Sequence, residues 1–172
     1  MILDNFATLI GSVSSGGVLS GALATAAATY KGASAGFNVM DLGPLALGGN
    51  QVGDTGSGER LNTEISILQT LTSAGAATVQ FQLIQADDAA LTTNVQVINQ
   101  TDAFAYTVLT AGTVVPLVWD KAAPYAPKRY VGIAVVVGTA ALTNGTGQFF
   151  AAVVKDVQDV KNLYYKSGFL VS

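Results

Sequence analysis

The 172-residue sequence contains no cysteine and no histidine. Serine–histidine–aspartate and cysteine–histidine nucleophilic sites are therefore impossible within one chain. Zinc sites of the usual Cys/His kind are excluded on the same ground. Without disulfides, added stability has to come from packing or from oligomerisation. Charge is also scarce: Asp, Glu, Lys and Arg make up 11% of the residues, against ~25% in ordinary globular proteins. With so little charge to solvate it, the surface is expected either to meet a membrane or to be covered by other subunits. The net charge is −3, and no Lys/Arg cluster is present to neutralise phosphates, so no nucleic-acid partner is expected.

What is present divides into two materials. Asn5 to Tyr30 carries no charge, yet its large apolar residues are too sparse among Gly, Ser, Thr and Ala for a membrane span. A secretory signal is not expected either, because Asp4 stands where a basic n-region belongs. Ile2, Leu3, Phe6, Leu9 and Ile10 have roughly helical spacing and suggest a short amphipathic turn. Gly11 to Gly36 reads as an extended arm, with Ala22 to Thr29 its one stretch of helical composition. Residues 1–35 are thus expected to be a Gly/Ala/Ser-rich arm, and 36–172 a β domain with a C-terminal tail. Such an arm gains order by lying on something else.

The strongest pattern runs from Leu61 to Gln85. Leu61, Thr63, Ile65, Ile67 and Leu71 share one side of a period-two run, and Val79, Phe81 and Leu83 share one side of another. Successive strand side chains point to opposite faces, so each run is a strand with one buried face. Thr72 to Ala76, with Gly75, reads as a short hairpin loop between them. Further strands are expected at Phe37–Leu42, Asn94–Asn99, Phe104–Leu109, Thr113–Trp119, Arg129–Val137, Gln148–Val154 and in Leu163–Val171. Pro116 cannot donate to a ladder, which puts its strand at an edge or a bulge. Val79, Phe81, Leu83, Ile65, Ile67, Val131, Ile133 and Val135 are expected to face one core. Short strands at this spacing, with Gly- and Pro-rich turns, predict an all-β fold: a jelly-roll-like antiparallel β-sandwich with an extended N-terminal arm.

Candidate chemistry is thin. Asp54-Thr55-Gly56 spells the aspartic-protease signature, in which two aspartates share a proton and activate water; one copy would require a homodimer. Its context, Gly49-Asn50-Gln51-Val52-Gly53, is turn chemistry rather than the apolar strand such a dyad needs. Asp87-Asp88 offers two carboxylates to a hard cation, but no further acids stand at calcium-loop spacing, and a solvated loop is the simpler reading. Tyr164, Tyr165 and Phe169 fit a core or a subunit interface equally well, aromatics being enriched in both.

Several short stretches, taken in order, carry a resemblance: Met1-Ile2-Leu3-Asp4, Asn38-Val39-Met40-Asp41-Leu42-Gly43, Gly53-Asp54-Thr55-Gly56-Ser57-Gly58-Glu59, Ala74 to Leu83, Asp87-Asp88, Leu109 to Thr113, and Lys128-Arg129-Tyr130-Val131. Together they resemble the tailed-bacteriophage capsid cement (decoration) proteins of the Bbp16 type, over most of Asn38 to Lys155. The resemblance implies a jelly roll on the outer surface of an icosahedral head. It implies a non-enzymatic virion protein, with no cofactor or metal, that bridges and stabilises major capsid protein subunits as a homo-oligomer, a dimer or trimer, with no membrane partner. Under it, Ile2, Leu3, Phe6, Leu9, Ile10, Tyr164, Tyr165 and Phe169 are the candidate interface residues, and the arm is expected to order only on the particle. A virion fibre or receptor-binding β domain is the alternative, and a homodimeric protease using Asp54 the remote one.

Overall fold

The computed structural model describes residues 7–14, 17–43, 61–119, 128–145 and 147–154. In chain order the strands are β1 (Thr8–Ile10), β2 (Ser12–Val13), β3 (Leu19–Ser20), β4 (Thr29–Tyr30), β5 (Met40–Asp41), β6 (Leu61–Ile67), β7 (Thr78–Ala86), β8 (Gln96–Gln100), β9 (Phe104–Ala105), β10 (Val114–Trp119), β11 (Tyr130–Gly138) and β12 (Phe149–Val154). Every pairing is antiparallel. One sheet runs β1-β12-β6-β10; the other runs β4-β11-β7-β8, with β5 also on β11 and β9 also on β7; β2 and β3 form a small hairpin. The two larger sheets pack face to face as a jelly-roll-like sandwich.

The period-two reading of the faces holds. Ile65 and Ile67 on one sheet meet Val79, Phe81, Leu83, Val131, Ile133 and Val135 on the other in a single core. Phe81 and Phe149 cross between the sheets edge to face, with ring centroids 5.6 Å apart. Pro116 sits where a residue without an N–H is tolerated, on β10 at the edge of its sheet.

The expected hairpin does not form. β6 is central to one sheet and β7 to the other, and they are not partners. Alternation fixes which face of a strand is buried, and two strands facing each other across a core show the same pattern as two lying side by side. Residues 68–77 make an arch between the sheets, and Leu71 is its buried keystone. The Leu71 N–H donates to the Leu109 carbonyl at 3.1 Å. Asn144 clasps the arch on both sides of Leu71: its Nδ2 donates to the Thr70 carbonyl (2.5 Å), and its Oδ1 accepts the Thr72 N–H (2.6 Å).

Three other expectations change. Phe104–Leu109 is strand only at β9; Tyr106–Val108 then turns into a single 3-10 stretch that leaves Val108 outside and Leu109 buried. In Phe37–Leu42 the buried residues are Phe37 and Met40, because the chain there crosses from one sheet to the other. Phe37 bridges Ile10, and Met40 pairs Val131. Ala22–Thr29 contains no helix.

The N-terminal stretch is extended, but from Ala7 onward it belongs to the sandwich. β1 pairs with β12 on one edge. On its other edge the Asn38 N–H donates to the Leu9 carbonyl (2.9 Å), and the Gly11 N–H to the Gly36 carbonyl (2.7 Å). Leu9 and Ile10 are both fully buried in the core.

Candidate interaction surface

Antiparallel strands send alternate connections to opposite ends, and the two ends of this sandwich differ chemically. One end, the terminal pole, is bounded by Ala7, Leu42, Leu61, Ala86, Trp119, Tyr130 and Val154. The other, the loop pole, is bounded by Ile67, Thr78, Val114, Gly138 and Phe149.

The terminal pole holds paired charge. Arg129 donates from Nε and Nη2 to the two carboxylate oxygens of Asp41 at 2.8 and 2.7 Å, and its guanidinium lies 4.8 Å from the centre of the Tyr130 ring. The Arg129 guanidinium, with the Gly43 N–H, holds the Asp41 carboxyl down at about 2. Lys128 Nζ reaches Asp87 at 2.6 Å and lowers that carboxyl as well. Asp88 accepts from the N–H groups of Thr93 and Thr92 and from the Thr92 hydroxyl, which hold it at about 2, the Thr93 N–H foremost. The oxygens of Asp87-Asp88 are thus engaged with Lys128, Asn94, Thr92 and Thr93. The pair caps its own loop. Among the described residues no group of three or more acidic, cysteine or histidine side chains could hold a metal.

The candidate interface residues fall in two places. Leu9 and Ile10 are inside the domain's own core, which corrects the expectation that they face a partner: β12 on one side and residues 36–38 on the other enclose them. Ile2, Leu3, Phe6, Tyr164, Tyr165 and Phe169 lie outside the described residues, as does Asp54. The described residues nearest to those terminal segments are neighbours, however. The Val153 N–H donates to the Ala7 carbonyl at 2.8 Å, at the terminal pole.

The loop pole was not singled out by the sequence. It is built from residues 23–28, 68–77, 106–113 and 139–145, and none of these is charged. The segments are tied to one another. The Leu142 N–H donates to Thr25 O, the Thr143 N–H to Thr72 O, and the Ser73 hydroxyl to Ala141 O, while the Ala111 N–H donates to Thr70 Oγ1. Val108 stands 58% exposed and Leu23 39% exposed among Ala, Thr and Gly. Of the other charged residues described, Lys31 and Asp102 lie on loops beside the sheets, and Glu64, whose carboxyl burial pushes upward, lies on the outer face of β6.

No curated protein matches the chain. A family model, Bbp16, matches residues 20–154, which takes in every strand from Thr29 to Val154. That membership is consistent with a phage virion protein. The chain belongs to the Bbp16 family.

Proposed function

We propose that this protein is a non-enzymatic capsid decoration protein that sits on the outside of an icosahedral phage head and bridges major capsid protein subunits, acting as a homo-oligomer. The observation that carries the reading is the meeting of Ala7 and Val153 at one pole. Two terminal segments, one carrying Ile2, Leu3 and Phe6 and the other carrying Tyr164, Tyr165 and Phe169 among charged residues, depart from these neighbouring points of the sandwich. Such a pair can clamp a neighbouring subunit by burying apolar and aromatic area, at ~25 cal/mol per Å². The scarcity of charge supports the same reading, because a surface destined to be covered avoids the cost of desolvating ions.

The test is stoichiometry. Purified particles are expected to carry hundreds of copies, on the order of one or more per capsomer, and to lose them when residues 1–6 and 155–172 are removed together. A count of only a few copies per particle indicates a fibre or receptor-binding module instead.

A further inference from the structure

A protein that bridges two shell subunits needs two separated contact surfaces, and the terminal segments supply only one. We propose that the loop pole is the second: a preformed docking surface that seats on an uncharged patch of a shell subunit. This rests on the decoration reading above and adds the surface and the chemistry of the contact.

Charge is the first argument. The loop pole carries none over residues 23–28, 68–77, 106–113 and 139–145, whereas Asp41, Asp87, Asp88, Lys128 and Arg129 gather at the opposite pole. Phosphates and anionic lipids require cations, and the described residues of this end include none. A neutral protein surface requires none, and pairing two neutral surfaces desolvates no ions.

Order is the second argument. The four segments are cross-linked by Asn144 to Thr70 and Thr72, by Ser73 to Ala141, by Leu142 to Thr25 and by Leu71 to Leu109. Their exposed residues are mostly Ala, Gly and Thr, short side chains that lose little rotamer freedom on burial. A surface already held in place loses less entropy when it binds. Val108 and Leu23 give it two apolar projections to fill pockets on the partner.

Spacing is the third. β7 and β11 are each nine residues long and run from pole to pole. At about 3.3 Å per residue the poles stand roughly 30 Å apart, so a contact at one pole leaves the other free for a second.

The test uses full-length protein added back to particles of the major capsid protein from which it has been stripped, with bound copies measured against free concentration. Val108→Asp and Ala141→Asp each place a carboxylate on the loop pole; Ala103→Asp places one beside the six-stranded sheet. The expected result is binding about tenfold or more weaker for the two loop-pole variants, and unchanged binding for Ala103→Asp. Thermal unfolding and light-scattering mass of the two variants should match the parent, and if one of them fails to fold the other serves. If the parent binds and both variants bind equally well, the loop pole is not the contact, and the inference falls while the decoration reading stands. If the variants instead lose oligomer mass, the surface joins copies of this chain, and the inference is also overturned. A parent protein that does not bind stripped particles at all defeats the decoration reading itself.

Discussion

Truncating Leu9 or Ile10 to alanine decides whether the N-terminal stretch is part of the domain or waits for a partner. Both side chains are fully buried in the isolated chain, so each substitution removes a core side chain and leaves a cavity. Buried Leu or Ile to Ala costs ~2–5 kcal/mol, and the low end applies where the surroundings collapse into the space. β1 is only three residues long, but it is held on both edges, by β12 and by residues 36–38, so collapse is restricted and about 3 kcal/mol each is expected. The two residues are adjacent, so the double variant should cost less than the sum, yet still a large part of the ~5–15 kcal/mol a domain of this kind has. Urea unfolding of the purified protein reads the effect. The one tryptophan in the sequence, Trp119, is buried in the same core and reports it by fluorescence. Losses below ~1 kcal/mol for both variants, with the denaturant slope unchanged, would show that the stretch gains its order elsewhere and that the core assignment is wrong.

Phe81→Ala should cost ~3–5 kcal/mol, and a double-mutant cycle with Phe149→Ala should show ~0.5–1.5 kcal/mol of coupling from the edge-to-face contact; additive losses would mean the rings do not meet. Gly11 has φ +84° and a Cβ built there falls on the Ser20 carbonyl oxygen, whereas Gly17 has φ +75° with nothing near. Gly11→Ala is therefore expected to destabilise by at least ~1 kcal/mol more than Gly17→Ala, whose cost is the ~1–2 kcal/mol of left-handed backbone alone; equal melting temperatures would contradict the close crossing of β1 and β3. Asp41 and Asp88 have folded-state pKa values near 2, below the ordinary 3.8. The stability they contribute is complete above the unfolded value and is lost as pH falls from roughly 5 towards 2. Asp88→Asn should make the urea midpoint less pH-dependent over that window, and an unchanged dependence would mean the Thr92 and Thr93 donors do not hold the carboxylate.

Much of the sandwich is legible in the sequence because period-two alternation is a local property. Val79, Phe81 and Leu83 face inward whatever strand lies next to them. Which strand that is depends on the connection, and the arch at 68–77 differs from a hairpin loop chiefly in burying Leu71, a residue that also fits the end of the preceding alternation. Leu9 and Ile10 escape local reading for a different reason. A bulge between Thr8 and Ile10 lets consecutive residues both enter the core; a strand's period of 2 buries only alternate residues, so an adjacent buried pair reads as helical spacing instead. At Tyr106–Val108 the alternation of Phe104, Tyr106 and Val108 suggests a strand, but only β9 finds a partner on β7 before the chain turns. The loop pole was in part legible: the connections at 68–77, 106–113 and 139–145 lack charge, while 87–95 and 120–129 carry it. The contrast becomes a surface only once topology brings the first three to the same end.

Scarcity of charge poses a further problem, because exposed sheet edges recruit strands from other molecules and charged side chains are the common deterrent. Here the edges are managed by covering them. On one flank residues 36–38 lie along β1, and the chain then passes to β5, which with β4 lines β11 of the other sheet, so one crossing segment lies against both sheets. On the other flank Asn99 of β8 donates from Nδ2 to the Val118 carbonyl of β10 at 2.9 Å, tying the two edge strands together. Pro116 interrupts the donors of β10 itself. Under the proposed function, closure of this kind leaves a chain with 11% charged residues its two poles, rather than its edges, for contact with other subunits. Replacing Asn99 by alanine removes the tie without touching the core, and it is expected to raise the tendency to aggregate at high protein concentration while costing only about 1 kcal/mol of stability. Unchanged turbidity on heating Asn99→Ala would show that β8 and β10 are protected by some other feature.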